Sequence, residues 1–406
     1  MGNIFKDKVV LIGVTGGIAV YKTVELVSAL RKRGAQIRII MTENATRFVA
    51  PLTFREVGNA PVYYDMWHEP VHYDMAHISL AEEADVCIVA PATANFIGKF
   101  ASGIADNLLG TTLLATEAPI AIAPAMNTHM WANPAVQDNV AKLKSRGIKV
   151  IEPDAGHLAC GQVGKGRLPS VDTLLFELES MLWPQDLTGL TGKRFLITAG
   201  PTREFIDDFR FISNPSTGKM GLALAKAVKL RGGDVDLVLG PCEISVPRDI
   251  SVHNVSSALD MYETARSLFA NCDVFISAAA VSDFRAEKRF SGKMKRSMTD
   301  DVWSLPLVHN PDILGSLSEE KKHQVMVGFA AESSEILANA KKKLEDKGLD
   351  MIVANDISRA DTGFAADTNS VWLLGRDFEV EIGLESKEAI AHKIVDKIVE
   401  KLLVRK

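Results

Sequence analysis

One local pattern occurs twice in this chain and restricts its fold more than any other feature. A short apolar run, Lys8 to Ile12, enters the turn Gly13-Val14-Thr15-Gly16-Gly17 and continues as an amphipathic segment from Ile18 to Lys32. The second copy starts at Phe195 to Thr198, breaks at Ala199-Gly200-Pro201 and resumes with helical spacing from Gly218 to Leu230. In both, the apolar spacing changes from that of a buried strand to that of a helix. Strand, loop and helix in that order form a nucleotide-binding type of opening, because the N–H groups at the helix N-terminus are offered to an anion. Two such openings in 406 residues predict two domains.

The first half continues with strand-like runs at Ile37 to Met41, Val86 to Ala90 and Ile120 to Ala123, each separated by helix-length segments. Such alternation predicts a parallel sheet covered on both faces. Leu182 to Gly192 reads as a helix end, a proline and then small and polar residues, a linker composition. The expected boundaries are a first domain at 1–183, a linker at 184–192 and a second domain at 193–406. Strands at Phe195 to Thr198, Val235 to Leu239, Val274 to Ala278 and Met351 to Ala354 alternate with helices at Gly218 to Leu230 and Ala258 to Ala270. Ser370 to Leu374 and Val380 to Ile382 are expected to pair antiparallel before a last helix.

Composition narrows the function. A formal net charge of −5 gives no bulk attraction to nucleic acid or an anionic membrane, and no apolar run is long enough to span a bilayer. The four cysteines, Cys87, Cys160, Cys242 and Cys272, are scattered without a Cys-x-x-Cys pair, and MGNIFKDK has no secretory leader pattern. A reducing cytoplasm is the expected compartment. Cys87, inside an apolar strand, reads as packing.

Ligands on parallel sheets bind at the carboxyl ends of the strands. Three loops there are small and polar: Thr15-Gly16-Gly17, Thr42-Glu43-Asn44, and Pro91 to Asn95. A phosphate-bearing cofactor suits them, yet the first loop is not G-x-G-x-x-G and no acidic residue closes the second strand, which disfavours NAD. Taken alone, the glycine pair is equally a tight turn with close helix packing.

Further motifs decide. G-G-I-A at Gly16 to Ala19, the segment around His77, P-A-M-N at Pro124 to Asn127 and A-C-G-x-x-G-x-G-R at Ala159 to Arg167 follow one another through residues 6 to about 182. In these motifs the first half resembles the phosphopantothenoylcysteine decarboxylases, FMN-dependent proteins with a flavodoxin-like fold. The resemblance implies that the cofactor oxidises the substrate thiol to a thioaldehyde so that carbon dioxide leaves easily. It gives His77 the role of base, for which a neutral imidazole is suited. It gives Asn127 the substrate carboxylate, beside Ala125 and Met126, through an amide that adds no positive charge; helix capping by Asn127 is compatible with this. It makes Cys160, on a glycine-rich flap, the acid that protonates the enethiolate. Gly16, Gly17, Ile18, Thr42, Thr93 and Asn95 are matched to FMN, and Asp106 and Asn107 also match a family motif.

The second half collects Arg203, Arg210, Asn214, Ser216, Thr217 and Lys219 in its first loop, then Asp283, then Lys293, Lys295 and Arg296, then Asn310-Pro311-Asp312-Ile313, Gly328 to Glu332 and Lys341-Lys342-Lys343. Lysine groups of this kind are more often solvated faces than sites. Together they resemble the phosphopantothenate-cysteine ligases from about Thr191 onward, a family commonly fused to the first in bacteria. The implied domain is a Rossmann-like α/β ligase in which the 4′-phosphopantothenate carboxylate attacks CTP, giving an acyl-cytidylate that the L-cysteine amine then opens. Lys293 is matched to the triphosphate and its transition state, with Lys343 and Lys347 assisting. Ala279, Ala280, Val281, Asp283, Pro311, Asp312, Ile313, Leu314 and Phe329 are matched to CTP, and Asn214 to the acyl-cytidylate with Arg210 beside it. Magnesium is expected with CTP, but no carboxylate cluster identifies its ligands. Arg296 stands where many relatives have lysine, and Ser282 where alanine is frequent.

The resemblances imply two consecutive steps of coenzyme A biosynthesis on small-molecule substrates. They further imply a homo-oligomer with a trimeric first domain and a dimeric second domain, a dodecamer in combination. A flavin prenyltransferase fused to another domain would not need the P-A-M-N and A-C-G segments. A non-catalytic flavoprotein would not need His77, Asn127 and Cys160 together.

Overall fold

The computed structural model describes residues 3–67, 75–159, 161–184, 187, 189–293, 295, 303–332, 335–356 and 366–403. Cys160 and Arg296 lie outside the described residues. The chain divides into two compact units that part between Trp183 and Pro184.

In the first unit, β1 (Val9–Val14), β2 (Gln36–Met41), β3 (Val62–Tyr63), β4 (Val86–Ala92), β5 (Ile120–Pro124) and β6 (Lys149–Val150) form one sheet in the order β3-β2-β1-β4-β5-β6. All of its pairings are parallel. Without the two-residue edge strand β3, the chain order is the 2-1-3-4-5 of flavodoxin-like sheets. Period-two alternation sends β1 side chains to two separate cores. Val10, Ile12 and Val14 pack with helices Val20–Lys32 and Val171–Leu182, while Leu11 packs with Ala94–Ala101, Leu108–Ala115 and Pro134–Ser145. Every residue of β4 is buried, as both-faces-covered parallel strands require. Burial pushes the Cys87 thiol up to about 12, which makes it inert packing.

The glycine-studded segment read as a flexible flap is a β-hairpin, β7 (Asp154–His157) paired antiparallel with β8 (Val163–Arg167). Glycine content hides the strand from propensity.

The second unit carries β9 (Arg194–Ala199), a small antiparallel pair β10 (Glu204–Phe205) and β11 (Phe211–Ile212), then β12 (Asp234–Leu239), β13 (Ser251–Asn254) and β14 (Val274–Ser277). A second small pair, β15 (Phe284–Ala286) and β16 (Leu307–His309), precedes β17 (Val325–Glu332), β18 (Met351–Asp356), β19 (Thr368–Gly375) and β20 (Glu379–Ser386). The main sheet runs β13-β12-β9-β14-β17-β18-β19-β20, six parallel strands closed by the expected antiparallel pair. Its order reverses between β9 and β14, where each loop turns away to its own side of the sheet. Strand β17, central and apolar, was not expected from the sequence; nor were the two small pairs. Residues 184–192 were expected to be linker throughout, yet Leu190 is fully buried in the second core and its N–H donates to the Arg231 carbonyl at 3.1 Å. A lone leucine among Thr and Gly carries no periodicity to announce it.

Candidate functional sites

The three small polar loops of the first unit meet as their sequence implies. Thr15, 2% exposed, ties the first to the third: its Oγ1 donates to the Pro91 carbonyl at 2.7 Å and accepts from the Thr93 N–H at 3.0 Å. Thr93 in turn caps helix Ala94–Ala101 by accepting from the Phe96 N–H. Helix Val20–Lys32 begins without a side-chain cap; the Val20 N–H donates to the Gly17 carbonyl and the Lys22 N–H to the Ala19 carbonyl, each at 3.0 Å, so the loop's own backbone closes the helix start and the helix dipole is what it offers an anion.

That cavity holds about 620 Å³, within the range of cofactor sites. Gly16, Gly17, Ile18, Thr93, Ala125, Met126 and Asn127 line it, together with His157, Leu158, Ala159 and Arg167 of the hairpin. A Cβ on Gly17 would meet nothing nearer than Thr93 Cγ2 at 3.8 Å, so glycine here leaves open space beside the loop for a ligand. Tyr21 and Lys22 also line the cavity, and nothing in the sequence separates this helical turn of aromatic and lysine from ordinary surface.

The hairpin is fixed against P-A-M-N by close approach. Met126 N–H donates to the Gly166 carbonyl at 3.0 Å, and a Cβ on Gly166 would sit 2.2 Å from the Met126 carbonyl oxygen, so only glycine fits. At the hairpin's base Glu152 holds both Lys165 and Lys144, hydrogen bonds that keep its carboxyl at about 2. Asn127 does cap helix Thr128–Ala132: its Oδ1 accepts from the His129 N–H at 2.8 Å, and its Nδ2 donates to Gln162 Oε1 at 2.7 Å.

Other expected residues lie apart from these walls. Thr42 precedes the short helix Glu43–Thr46, its N–H bonded to the Val14 carbonyl at 2.9 Å, and Asn95 is exposed on the first turn of its helix. His77 is half-buried in helix Ala76–Glu83. None of the three lines the cavity.

The second unit has two clefts at the carboxyl ends of its parallel strands, and they share Ala279, Val281, Asp283, Phe329 and Lys343. The first, about 470 Å³, brings together Pro311, Asp312, Ile313, Leu314 and Lys347 as expected. Asp312 caps helix Ile313–Glu319 and pairs with Lys347 at 2.8 Å. Burial pushes its carboxyl up, but the Lys347 and Gly315 hydrogen bonds outweigh this and hold it below the ordinary carboxylate range. Lys343 Nζ donates to the Phe329 carbonyl at 2.9 Å. Phe284 and His309, which no sequence motif singles out, also line this cleft, their rings 4.7 Å apart on the small β15–β16 pair.

The second cleft, about 340 Å³, contains Ala280, Asn214 and the N-terminus of helix Lys219–Leu230. Asn214 Nδ2 donates to the Val281 carbonyl at 2.9 Å, which fixes the amide on the strand-exit loop. Lys387 lines this cleft only 7% exposed, with Lys219, Asn355 and Asn369. Burial first and the Lys219 charge second push its ammonium pKa down, and Asp367, bridged to Lys219 at 2.5 Å, partly offsets them. No sequence signal reveals Lys387, which lies at the start of the last helix, far along the chain from the loops it joins.

Lys293 and Arg210 line neither cleft. Lys293 is exposed with its Nζ 5.6 Å from the Phe209 ring centroid, and Arg210 lies 3.8 Å from the buried Asp207 carboxylate. Among the described residues no three His, Cys, Asp or Glu side chains gather as a metal site, and no helix is long and apolar enough to cross a membrane.

Comparison with known proteins agrees with both halves. Residues 3–182 match the Flavoprotein family, and residues 190–402 match the C-terminal domain family of DNA/pantothenate metabolism flavoproteins. A Coenzyme A biosynthesis bifunctional protein CoaBC from Bacillus subtilis (strain 168) is 46% identical over 391 residues, 96% of each chain. One from Escherichia coli (strain K12) is 40% identical over 394 residues, 97% of each. A solved C-terminal domain of such a protein is 37% identical with a TM-score of 0.47, and covers 54% of this chain and 100% of its own.

Proposed function

The chain belongs to the family of coenzyme A biosynthesis bifunctional proteins, and from that premise we propose that it makes 4′-phosphopantetheine in two steps, one per domain. Residues 193–406 join the carboxylate of 4′-phosphopantothenate to the amine of L-cysteine at the expense of CTP, through an acyl-cytidylate. Residues 1–183 then decarboxylate the 4′-phosphopantothenoylcysteine with FMN. The observation that carries the reading is the pairing of cavity with chemistry: a roomy cavity of small and apolar walls in the first unit, and cation-bearing clefts in the second.

In the first unit the Gly16-Gly17-Ile18 loop, Thr93 and the uncapped helix start would hold the flavin and its phosphate. Bound there, FMN would supply reversible two-electron redox chemistry beside the substrate thiol. His77 takes the thiol proton, and Asn127 Nδ2 holds the carboxylate without a fixed positive charge that would favour the ground state. Cys160 donates the proton that the enethiolate carbon gains. The roles of His77 and Cys160 rest on the family match. Thr42 and Asn95 are second-line candidates for the flavin, since neither lines the cavity.

In the second unit, Asp283, Phe329, Lys343 and the Pro311 to Leu314 turn bind the nucleotide, with Ala279 to Val281 forming its floor. Asn214 holds the acyl-cytidylate. Lys219 and Lys387 at the end of the adjoining cleft supply the charge for the phosphate of 4′-phosphopantothenate. Magnesium would accompany the triphosphate and offset part of its charge. Exposed apolar side chains on each unit, Ile18, Tyr21 and Val163 on one and Phe209, Phe211 and Trp303 on the other, support a homo-oligomer built on both.

Mass spectrometry of products from protein supplied with 4′-phosphopantothenate, cysteine, CTP and magnesium tests the whole reading. 4′-Phosphopantetheine, CMP and pyrophosphate are expected. Accumulation of 4′-phosphopantothenoylcysteine alone removes the decarboxylase half, and no product removes the ligase half.

A further inference from the structure

The Asn127 amide has one orientation. Its Oδ1 is committed to the His129 N–H, so Nδ2 is the end presented to the hairpin, where it meets Gln162 Oε1 at 2.7 Å. An amide oxygen accepting at that position stands where a carboxylate oxygen of the substrate would stand if Asn127 binds it. The contact also brings a second side-chain amide to the same spot. The Gln162 backbone is fixed, its carbonyl accepting from the Leu158 N–H at 2.8 Å, while its side chain is exposed and its terminal torsion is soft.

We propose that Gln162 is a substrate-binding residue of the decarboxylase: a carboxylate displaces its Oε1 from Asn127, and the amide turns so that its Nε2 donates to the second carboxylate oxygen. Asn127 and Gln162 then form a two-amide clamp. Each amide contributes N–H donors and neither contributes a formal charge. Such a clamp selects a carboxylate-bearing substrate and orients the bond to be broken, and it avoids the ion pair that would make carbon dioxide harder to release. Gly164 and Gly166 place the hairpin close enough for this, since a Cβ on Gly164 would fall 2.7 Å from Thr128 Oγ1. The inference rests on the reading of Asn127 as the carboxylate donor.

Steady-state decarboxylation of 4′-phosphopantothenoylcysteine, with inhibition by 4′-phosphopantetheine, which lacks the carboxylate, separates the possibilities. Gln162→Ala is expected to raise KM about tenfold or more, the loss of one hydrogen bond to a charged group, and to change the product inhibition constant less than twofold. Gln162→Glu should raise KM further, because it keeps an acceptor for Asn127 and sets a like charge against the substrate. Flavin content measured by absorbance reports folding in both variants. An unchanged or lowered KM in Gln162→Ala, or an equal change in the product constant, overturns the proposal. Asn127→Ser identifies which reading fell: if it raises KM selectively while Gln162→Ala does not, only the clamp is lost. If Asn127→Ser also treats substrate and product alike, the parent assignment of Asn127 fails.

Discussion

Gly17, Ile18, Ala125 and Met126 wall the first cavity, with Lys22 and Arg167 as its Lys and Arg side chains among the described residues; of the clefts of the second unit, one carries Lys343 and Lys347 and the other Lys219, Lys343 and Lys387. Both sites occupy the carboxyl ends of parallel strands, and both are built on a strand, loop and helix opening. The sheet therefore supplies location and little else. A flavin wants flat apolar walls and one phosphate contact, whereas two polyanions brought together want fixed cations at both ends. What separates the two reactions is the set of side chains at the strand exits.

The largest test of that contrast is Lys293. If a cation following the charge on the triphosphate is required, Lys293→Gln lowers acyl-cytidylate formation at least a thousandfold, while decarboxylation of supplied 4′-phosphopantothenoylcysteine stays within twofold. The structure places this lysine over Phe209, outside both clefts. A near-normal ligation rate would mark it as a surface charge and leave Lys343, already bonded to the Phe329 carbonyl and lining both clefts, as the cation that matters.

On the decarboxylase side the corresponding change is steric. Gly166→Ala drives a methyl into the Met126 carbonyl, so the hairpin and the P-A-M-N loop must part by roughly 1 Å, a displacement that can cost about a hundredfold in rate. Ligation by the same protein should be untouched. Equal loss of both activities would show that the two units do not act separately.

Lys387→Met sharpens the comparison within the second unit. It should raise the KM for 4′-phosphopantothenate roughly tenfold and leave that for CTP near its original value, as loss of one charge-assisted contact predicts. A change in the CTP constant instead would move the boundary between the two clefts.

These residues differ in how far sequence alone could reveal them. The strand runs at Val9, Val86, Phe195 and Val274 announce themselves because buried parallel strands are continuous apolar blocks. Gly16, Asn127 and Asn214 stand in contiguous motifs whose spacing survives in the folded site. Lys387 does not, since its place in the cleft arises when the last helix packs beside the first helix of its domain, a contact that no local pattern encodes. The β7–β8 hairpin is expected from the sequence as a glycine-rich flap, and its strands have no sequence signal. Its glycines permit the close approach to Met126 and at the same time erase the strand signal.

The smallest difference between the units is in acid stability and touches neither reaction. In the second unit Arg231, 4% exposed, donates to His392 Nδ1 at 2.8 Å and pairs with Asp396 at 2.6 Å, so burial and the Arg231 charge push the imidazole down to about 4 despite the opposing Asp396. A depressed histidine refuses a proton that the unfolded chain accepts below about 6.5, so this contribution is intact above that pH and is lost as the pH falls toward 4. Its full size is about 3 kcal/mol at 1.36 kcal/mol per pKa unit. In the first unit Glu152 is held at about 2 by Lys165 and Lys144, and Asp85 is also lowered, its hydrogen bonds from Lys8 and the Val9 N–H outweighing burial. For a carboxylate the stabilisation persists down to the unfolded value of about 4.3 and fades only below it, and partial exposure makes it small. Calorimetry from pH 7 to 4.5 should therefore show the transition of the second unit falling by several degrees while that of the first holds. His392→Gln, which keeps an acceptor for Arg231 and cannot titrate, should flatten that slope; an unchanged slope would assign the acid sensitivity to groups other than this buried pair.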